Sequence, residues 1–297
     1  MKIHFGIDLG GTKIELVAID DNFNILHRER ISTESEKGSD HVLDQINFLY
    51  KKSLKMFNEK EHTVGVGSPG SISQHTGLLR NSTIYCHNDL PLKSLIENKI
   101  NHSIVIENDA NCFALAESKL GAGKNYQVVF GVILGTGCGG GIVFDNKLWS
   151  GLHGISGEWG HSIIDVNGYP CFCGKNGCIN TLISGTGLQN ILQKKLKKEI
   201  TAEEFLNQKI YTSPEQEILN NFYSDFGKAI SNIINIIDPN IIIIGGGLSN
   251  HNDLYRKGVE KVILSSLNCD NEITPIVKNS LGDSAGVLGA AILPMQL

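Results

Sequence analysis

The sequence of 297 residues has no long hydrophobic run, no surplus of positive charge and no low-complexity linker. The apolar run Ile241–Ile244 is far too short to span a bilayer. The opening MKIHFGIDLGG carries Asp8 inside a short apolar stretch, so it does not read as a signal peptide. The expectation is a cytoplasmic protein with no membrane partner. The formal net charge of −5 speaks against nucleic acid as a partner. Lys194, Lys195, Lys197 and Lys198 form the one dense basic cluster; it sits in a helical-looking stretch and reads as a solvated face. What remains is an ordinary globular composition, long enough for two lobes.

Cysteine is scarce and unevenly placed. Of seven, Cys86, Cys112, Cys138 and Cys269 are isolated and read as small hydrophobes. Cys171, Cys173 and Cys178 lie together, which in a reducing compartment suggests a metal more than a disulfide.

Ile3, Phe5, Ile7 and Leu9 alternate as a strand does, and Gly10-Gly11 ends the pattern. Strands over 14–19 and 25–32 complete an antiparallel meander. Val42, Ile46, Leu49, Tyr50, Leu54 and Phe57 recur at helical spacing, and a short strand at 63–67 runs into Ser68-Pro69-Gly70. A strand at 103–106 precedes a helix at 110–120. The opening then has an echo: a strand at 128–134, a glycine loop, and a strand at 142–145. The repeat suggests two related lobes. Residues 151–187 are loop-rich. Helices are expected at 215–237, 252–267 and 284–293, with a buried strand at 241–244.

Four motifs carry chemistry. Asp8-Leu9-Gly10-Gly11-Thr12-Lys13 is a tight turn whose backbone N–H groups, Thr12 hydroxyl and Lys13 charge suit a phosphate, while Asp8 could hold Mg²⁺ through water. Taken alone it reads as an ordinary Gly-Gly hairpin. Gly135-Thr136-Gly137-Cys138-Gly139-Gly140-Gly141 lacks large side chains, which points to backbone approach rather than packing; it leads into a strand and is not a Walker loop. Gly245-Gly246-Gly247, after a buried strand, is a third nucleotide candidate. Glu107-Asn108-Asp109 lies where a strand meets a helix; Asp109 there could accept a hydroxyl proton, or Asn108 and Asp109 could merely cap the helix. Finally, His161 stands ten residues before a C-x-C-x₄-C run, and His161, Cys171, Cys173 and Cys178 make a closed Cys₃His set typical of structural zinc. A metal holding His161 would also fix Glu158, three residues earlier.

GIDLGGTK, GVGSPGSIS, ENDANC, GTGCGGG, GEWGH, CFCGKNGC, SGTG and IIIIGGGLSN follow one another from Gly6 to about Ala291. In that order they resemble the ROK family (repressors, open reading frames and sugar kinases). The resemblance implies an α/β, two-lobed actin-like ATPase fold of the ribonuclease-H-like kind, with an inter-lobe cleft. Residues 1–118 with 283–297 would form one lobe, and residues 119–282 the other, carrying the zinc loop. It implies Asp109 as general base, with Gly70, Asn108, Asp109, Glu158 and His161 near the sugar. Asp8, Gly10, Gly11, Thr12, Lys13, Gly135, Thr136, Gly137, Gly139 and Gly245–Gly247 would hold ATP, whose phosphates Mg²⁺ would bridge. A homodimer is the family expectation.

One position departs from the family. Where many members carry a Glu that touches the sugar, this chain has Asn180, shorter and uncharged. GSISQHTGLLRNST, EWGH and GDSAGVLGAA resemble the fructokinase and mannokinase branch, so the expected reaction is phosphorylation of D-fructose to fructose 6-phosphate. N-acetylglucosamine kinase is the alternative, followed by kinases of glucose, mannose or N-acetylmannosamine, and then a non-catalytic sugar sensor. A repressor is disfavoured: the phosphate motif begins at Gly6, where a DNA-binding segment would have to precede it, and the balance is acidic.

Overall fold

The computed structural model describes residues 2–267 and 272–296; Cys269 lies outside them. In chain order the elements are β1 (Ile3–Leu9), β2 (Lys13–Ile19), β3 (Ile25–Ser32), α1 (Ser39–Met56), β4 (His62–Ser68), β5 (Ser71–Ile72), β6 (Leu79–Arg80), α2 (Leu92–Ile100), β7 (Val105–Asn108) and α3 (Asp109–Leu120). Then come β8 (Val128–Leu134), β9 (Cys138–Phe144), β10 (Lys147–Leu148), α4 (Ile179–Ile183), α5 (Gly185–Leu196), α6 (Ala202–Leu206), α7 (Ser213–Ile237), β11 (Ile241–Gly245), α8 (Lys257–Ser265), β12 (Ile276–Lys278) and α9 (Ala285–Ile292).

They group into two units. The first comprises Met1–Lys119, Asn146–Ser156 and Asp283–Leu297; the second comprises Leu120–Asp145 and Gly157–Gly282. The structure thus adds residues 146–156 to the first unit, a segment that the sequence grouped with the second. Long-range bonds explain this: Gln296 Oε1 accepts from Leu148 N–H, and Ser150 Oγ donates to Glu107 Oε1.

In the first unit the strand order is β3-β2-β1-β4-β7. β1 runs antiparallel to β2 and parallel to β4. β1 is buried along nearly its whole length, as a strand covered on both faces must be. Helix α9 lies so close to the sheet that a Cβ on Gly65 would come 1.9 Å from Ala290 O, so glycine is required there by approach. Val42, Ile46 and Leu49 of α1 join Ile96 of α2 in the core, as their helical spacing predicts.

The second unit repeats the plan, with order β9-β8-β11-β12. β8 is antiparallel to β9 and parallel to β11. Helix α7 opens with a capping box between Thr212 and Glu215 and stops at Asp238, whose φ of 49° lies in the left-handed region. It buries Ile218, Phe222, Phe226 and Ile230 in the core. Together these two similarly ordered sheets with their helices make the actin-like α/β fold.

Two local expectations change. Residues 151–187 include α4 and the start of α5; glycines on both sides of Thr186 hid the helix, which Ser184 caps by accepting from Gly187 N–H. The single helix expected over 252–267 is a 3₁₀ turn, Asn252–Tyr255, followed by α8. Among the described residues no helix is long and apolar enough to cross a membrane.

Candidate active site and metal centre

In the first unit, the β1–β2 turn places Gly11 and Thr12 at an exposed tip. The tip is tied from below by the wholly buried Thr33, whose Oγ1 donates to Gly10 O and whose N–H donates to Thr12 O. A Cβ on Gly11 would meet nothing within 4 Å, so the space above it is open. Thr33 was not legible in the sequence; its 23-residue separation from Gly10 is bridged only by sheet register.

Asp8, the last residue but one of β1, lies beside Gly67 and Gly286, whose missing side chains leave room around its carboxylate. Burial pushes its pKa up to about 7; the Asp109 and Glu15 carboxylates add to the rise, while Lys13 and Arg30 oppose it. Glu15 itself is buried between Arg28 and Arg30 of β3, which bond to its two oxygens.

Asp109 is the first residue of α3. Its Oδ1 and that of Asn108 both accept from Ala110 N–H, so the capping role anticipated for either residue is present in both. Asn108 Nδ2 also donates to Gly70 O at 3.0 Å. Gly70 adopts φ of 87°, and a Cβ there would strike Arg80 O at 2.4 Å. Burial raises the Asp109 pKa, the direction a proton acceptor needs near neutral pH. Glu107 holds Asn111 Nδ2 and Ser150 Oγ, bracing the same junction; neither partner was anticipated. A recess of about 20 Å³ adjoins it, lined by Gly70, Ile72, Leu79, Ile106 and Asn108 among others.

In the second unit, Thr136 and Gly137 form the exposed tip between β8 and β9. Parallel pairing of β8 with β11 sets Gly245 opposite Ile133, so the Gly245–Gly247 turn emerges beside this tip. A Cβ on Gly247 would meet nothing, whereas Gly246 has φ of 83° and abuts Leu134 O. The expectation that the whole run 135–141 serves backbone approach needs correction. Gly139 and Gly140 lie in β9 against Trp159: its Nε1 donates to Gly139 O at 2.7 Å, and a Cβ on Gly140 would sit 2.7 Å from its ring. Packing demands glycine at 140. Asn180 Oδ1, expected near a sugar, accepts from Cys138 N–H of this loop at 2.9 Å.

His161, Cys171, Cys173 and Cys178 bring one ligand atom each to within 4.8 Å of one another. Two edges are 3.5 Å (Cys173 Sγ to Cys178 Sγ) and 3.6 Å (Cys171 Sγ to His161 Nδ1). A tetrahedral zinc with Zn–S bonds of about 2.3 Å implies edges of about 3.8 Å, so the donor set fits in both chemistry and size. Gly174 and Gly177, with φ of 87° and 68°, make the bends that bring the thiols together. Burial raises the pKa values of Cys171 and Cys178, the latter to about 12; a dication is what such thiols need to ionise. Glu158 Oε2 lies 4.0 Å from His161 Nε2, the nitrogen turned away from the cluster.

These features stand on an actin-like fold, and comparison with known proteins gives the class. Residues 4–296 match the ROK family. The chain is 35% identical to an N-acetyl-D-glucosamine kinase of Histophilus somni (strain 129Pt), over 98% of both chains, and 34% identical to one of Pasteurella multocida (strain Pm70), over 98% of this chain and 99% of that one. A ROK hexokinase from Thermus thermophilus superposes with a TM-score of 0.86 at 25% identity, covering 98% of this chain and 97% of that one. The chain therefore belongs to the ROK family. The expected fructose preference finds no support in these relatives, which favour its alternative.

Proposed function

We propose that the protein is a sugar kinase that transfers the γ-phosphoryl group of ATP to N-acetyl-D-glucosamine. The observation that carries the reaction class is Asp109, a carboxylate made more basic by burial at a strand–helix junction whose sister residue Asn108 is locked onto Gly70. Asp109 would accept the proton of the attacking sugar hydroxyl while its oxygen bonds to phosphorus and the bond to the ADP oxygen breaks. The exposed turns at Gly10–Lys13, Gly135–Gly137 and Gly245–Gly247 would cradle the nucleotide with main-chain N–H groups. Mg²⁺, when bound, would neutralise phosphate charge, and Asp8 is the carboxylate suited to hold it through water. Glu158 and the His161 Nε2 face would orient sugar hydroxyls. Structural Zn²⁺ held by His161, Cys171, Cys173 and Cys178 would fix that face and supply no reacting group.

The acetamido sugar is supported by the named relatives and by the recess beside Asn108. At about 20 Å³ it admits a group the size of one water or methyl. Its walls include Ile72, Leu79 and Ile106, which suit the methyl of an acetamido group. A coupled ADP-release assay across N-acetylglucosamine, N-acetylmannosamine, glucose, mannose and fructose tests this. The highest kcat/KM is expected on N-acetylglucosamine. A higher value on fructose or glucose would overturn the assignment.

A further inference from the structure

Asn180 stands where many family members place a glutamate, and its side chain already has a partner. Asn180 Oδ1 accepts the Cys138 N–H bond at 2.9 Å, and a Cβ built on Gly137 would come 3.2 Å from the same oxygen. A backbone N–H can only donate, so the orientation of the carboxamide is determined: oxygen on the loop, NH₂ turned away. Asn180 is itself held, because its main-chain oxygen accepts from Ser184 Oγ at 2.6 Å, and Ser184 is wholly buried. The residues just beyond close onto the same loop: Gly185 N–H donates to Gly135 O at 2.8 Å, and Thr186 N–H to Thr136 O at 3.1 Å.

The loop 135–138 therefore hangs from the α4–α5 junction by two main-chain bonds and by one side chain. Glycine at 135 and 137 gives the tip wide conformational freedom, so its shape depends on such ties. Of the three, only the Asn180 bond can be altered by a side-chain substitution. It also acts on the peptide N–H that closes the exposed tip. An amide does this without placing a negative charge beside a loop meant to receive phosphates, which a carboxylate would repel.

We propose that Asn180 is a positioning residue for the nucleotide-phosphate loop, setting the Gly137–Cys138 peptide, and is not a sugar contact. This rests on the assignment of that loop to ATP. The test separates the two ligands. Calorimetric titration with the non-hydrolysable analogue AMPPNP, without sugar, should show Asn180→Ala about tenfold weaker than wild type, the loss expected for one buried hydrogen bond. Its KM for N-acetylglucosamine should stay within twofold. Gly137→Ala, whose new methyl crowds the same oxygen, should share the nucleotide defect, and should cost less in the Asn180→Ala background than alone. A raised sugar KM with unchanged AMPPNP affinity would overturn the proposal, as would strictly additive defects.

Hydrogen exchange at the Cys138 amide reports the tie with no ligand present. Faster exchange in Asn180→Ala is expected, and unchanged exchange overturns the tie itself. Wild-type protein that binds no AMPPNP would instead overturn the ATP assignment, whatever the exchange shows. If Asn180→Ala does not fold, Asn180→Asp keeps an oxygen acceptor: Cys138 should stay protected while the added charge weakens AMPPNP binding. Loss of protection in that variant counts against the proposal.

Discussion

His161 divides its ring between two neighbours: Nδ1 lies 3.6 Å from Cys171 Sγ, and Nε2 lies 4.0 Å from the Glu158 carboxylate. One nitrogen is thus available to a metal while the other remains available to a substrate, and a single residue can serve both without conflict. A ligated Nδ1 would also fix the ring plane, and so the direction of Nε2. Metal analysis of protein purified without chelator should find about one zinc per chain. Cys178→Ser should lose the metal and lower the melting temperature, because structural zinc binding contributes folding free energy. It should reduce sugar affinity as well, through His161 and Glu158. Metal-free protein of undiminished stability would remove the zinc assignment.

Asp109→Asn keeps the shape of the side chain and removes the base. Turnover should fall by about 10²–10⁴-fold, the range for loss of a general base. Sugar binding should persist, and the melting temperature should not fall, since a carboxylate held in a desolvating site is replaced by a neutral amide. Near-normal turnover would show that another group takes the proton.

Asp8 sets a pH dependence of stability whose sign can be worked out. Its pKa is 3.8 in the unfolded reference and about 7 in the native protein. Between those values the folded state retains a proton that the unfolded state has released, so stability declines as pH rises from about 4 to 7. Above pH 7 the whole cost is present. Asp8→Asn should therefore stabilise the protein at pH 8, without Mg²⁺ or nucleotide, by an amount on the order of 2–4 kcal/mol. The gain should vanish near pH 4, and kinase activity should be lost. Denaturant melts across pH are the check; a gain independent of pH would mean that Asp8 is ionised at ordinary cost.

The glycines of the second unit should behave in two ways. Gly140→Ala drives a methyl to 2.7 Å from Trp159 and should cost about 1–3 kcal/mol of stability, as overpacking does. Gly247→Ala meets open space and has no positive φ to lose, so its melting temperature should match wild type. Its nucleotide affinity should nevertheless fall. Equal stability of both variants would contradict the distinction.

Much of this was legible in the sequence because it is local. The Cys₃His set follows from the short spacings between Cys171, Cys173 and Cys178, which constrain where the thiols can go. Strand periodicity gave β1 to β3, and the two glycine hairpins announced two related units before either sheet was assembled. The expectation for Gly140 failed for the opposite reason. An absent side chain looks the same in sequence whether ligand or tryptophan fills the space, and Trp159 lies some 20 residues away.

Spacing and pattern by themselves suggested two related units and the Cys₃His set, and the order of the motifs carried the resemblance to the ROK family that implied the actin-like plan and the candidate residues. Only the tertiary structure decided how those residues are held: Thr33 under the first turn, Ser150 on Glu107 and Asn180 on Cys138. These partners stand 23, 43 and 42 residues apart. Local backbone geometry does not reach that far. Their meeting depends on sheet register and helix packing, which arise only when the whole unit has folded.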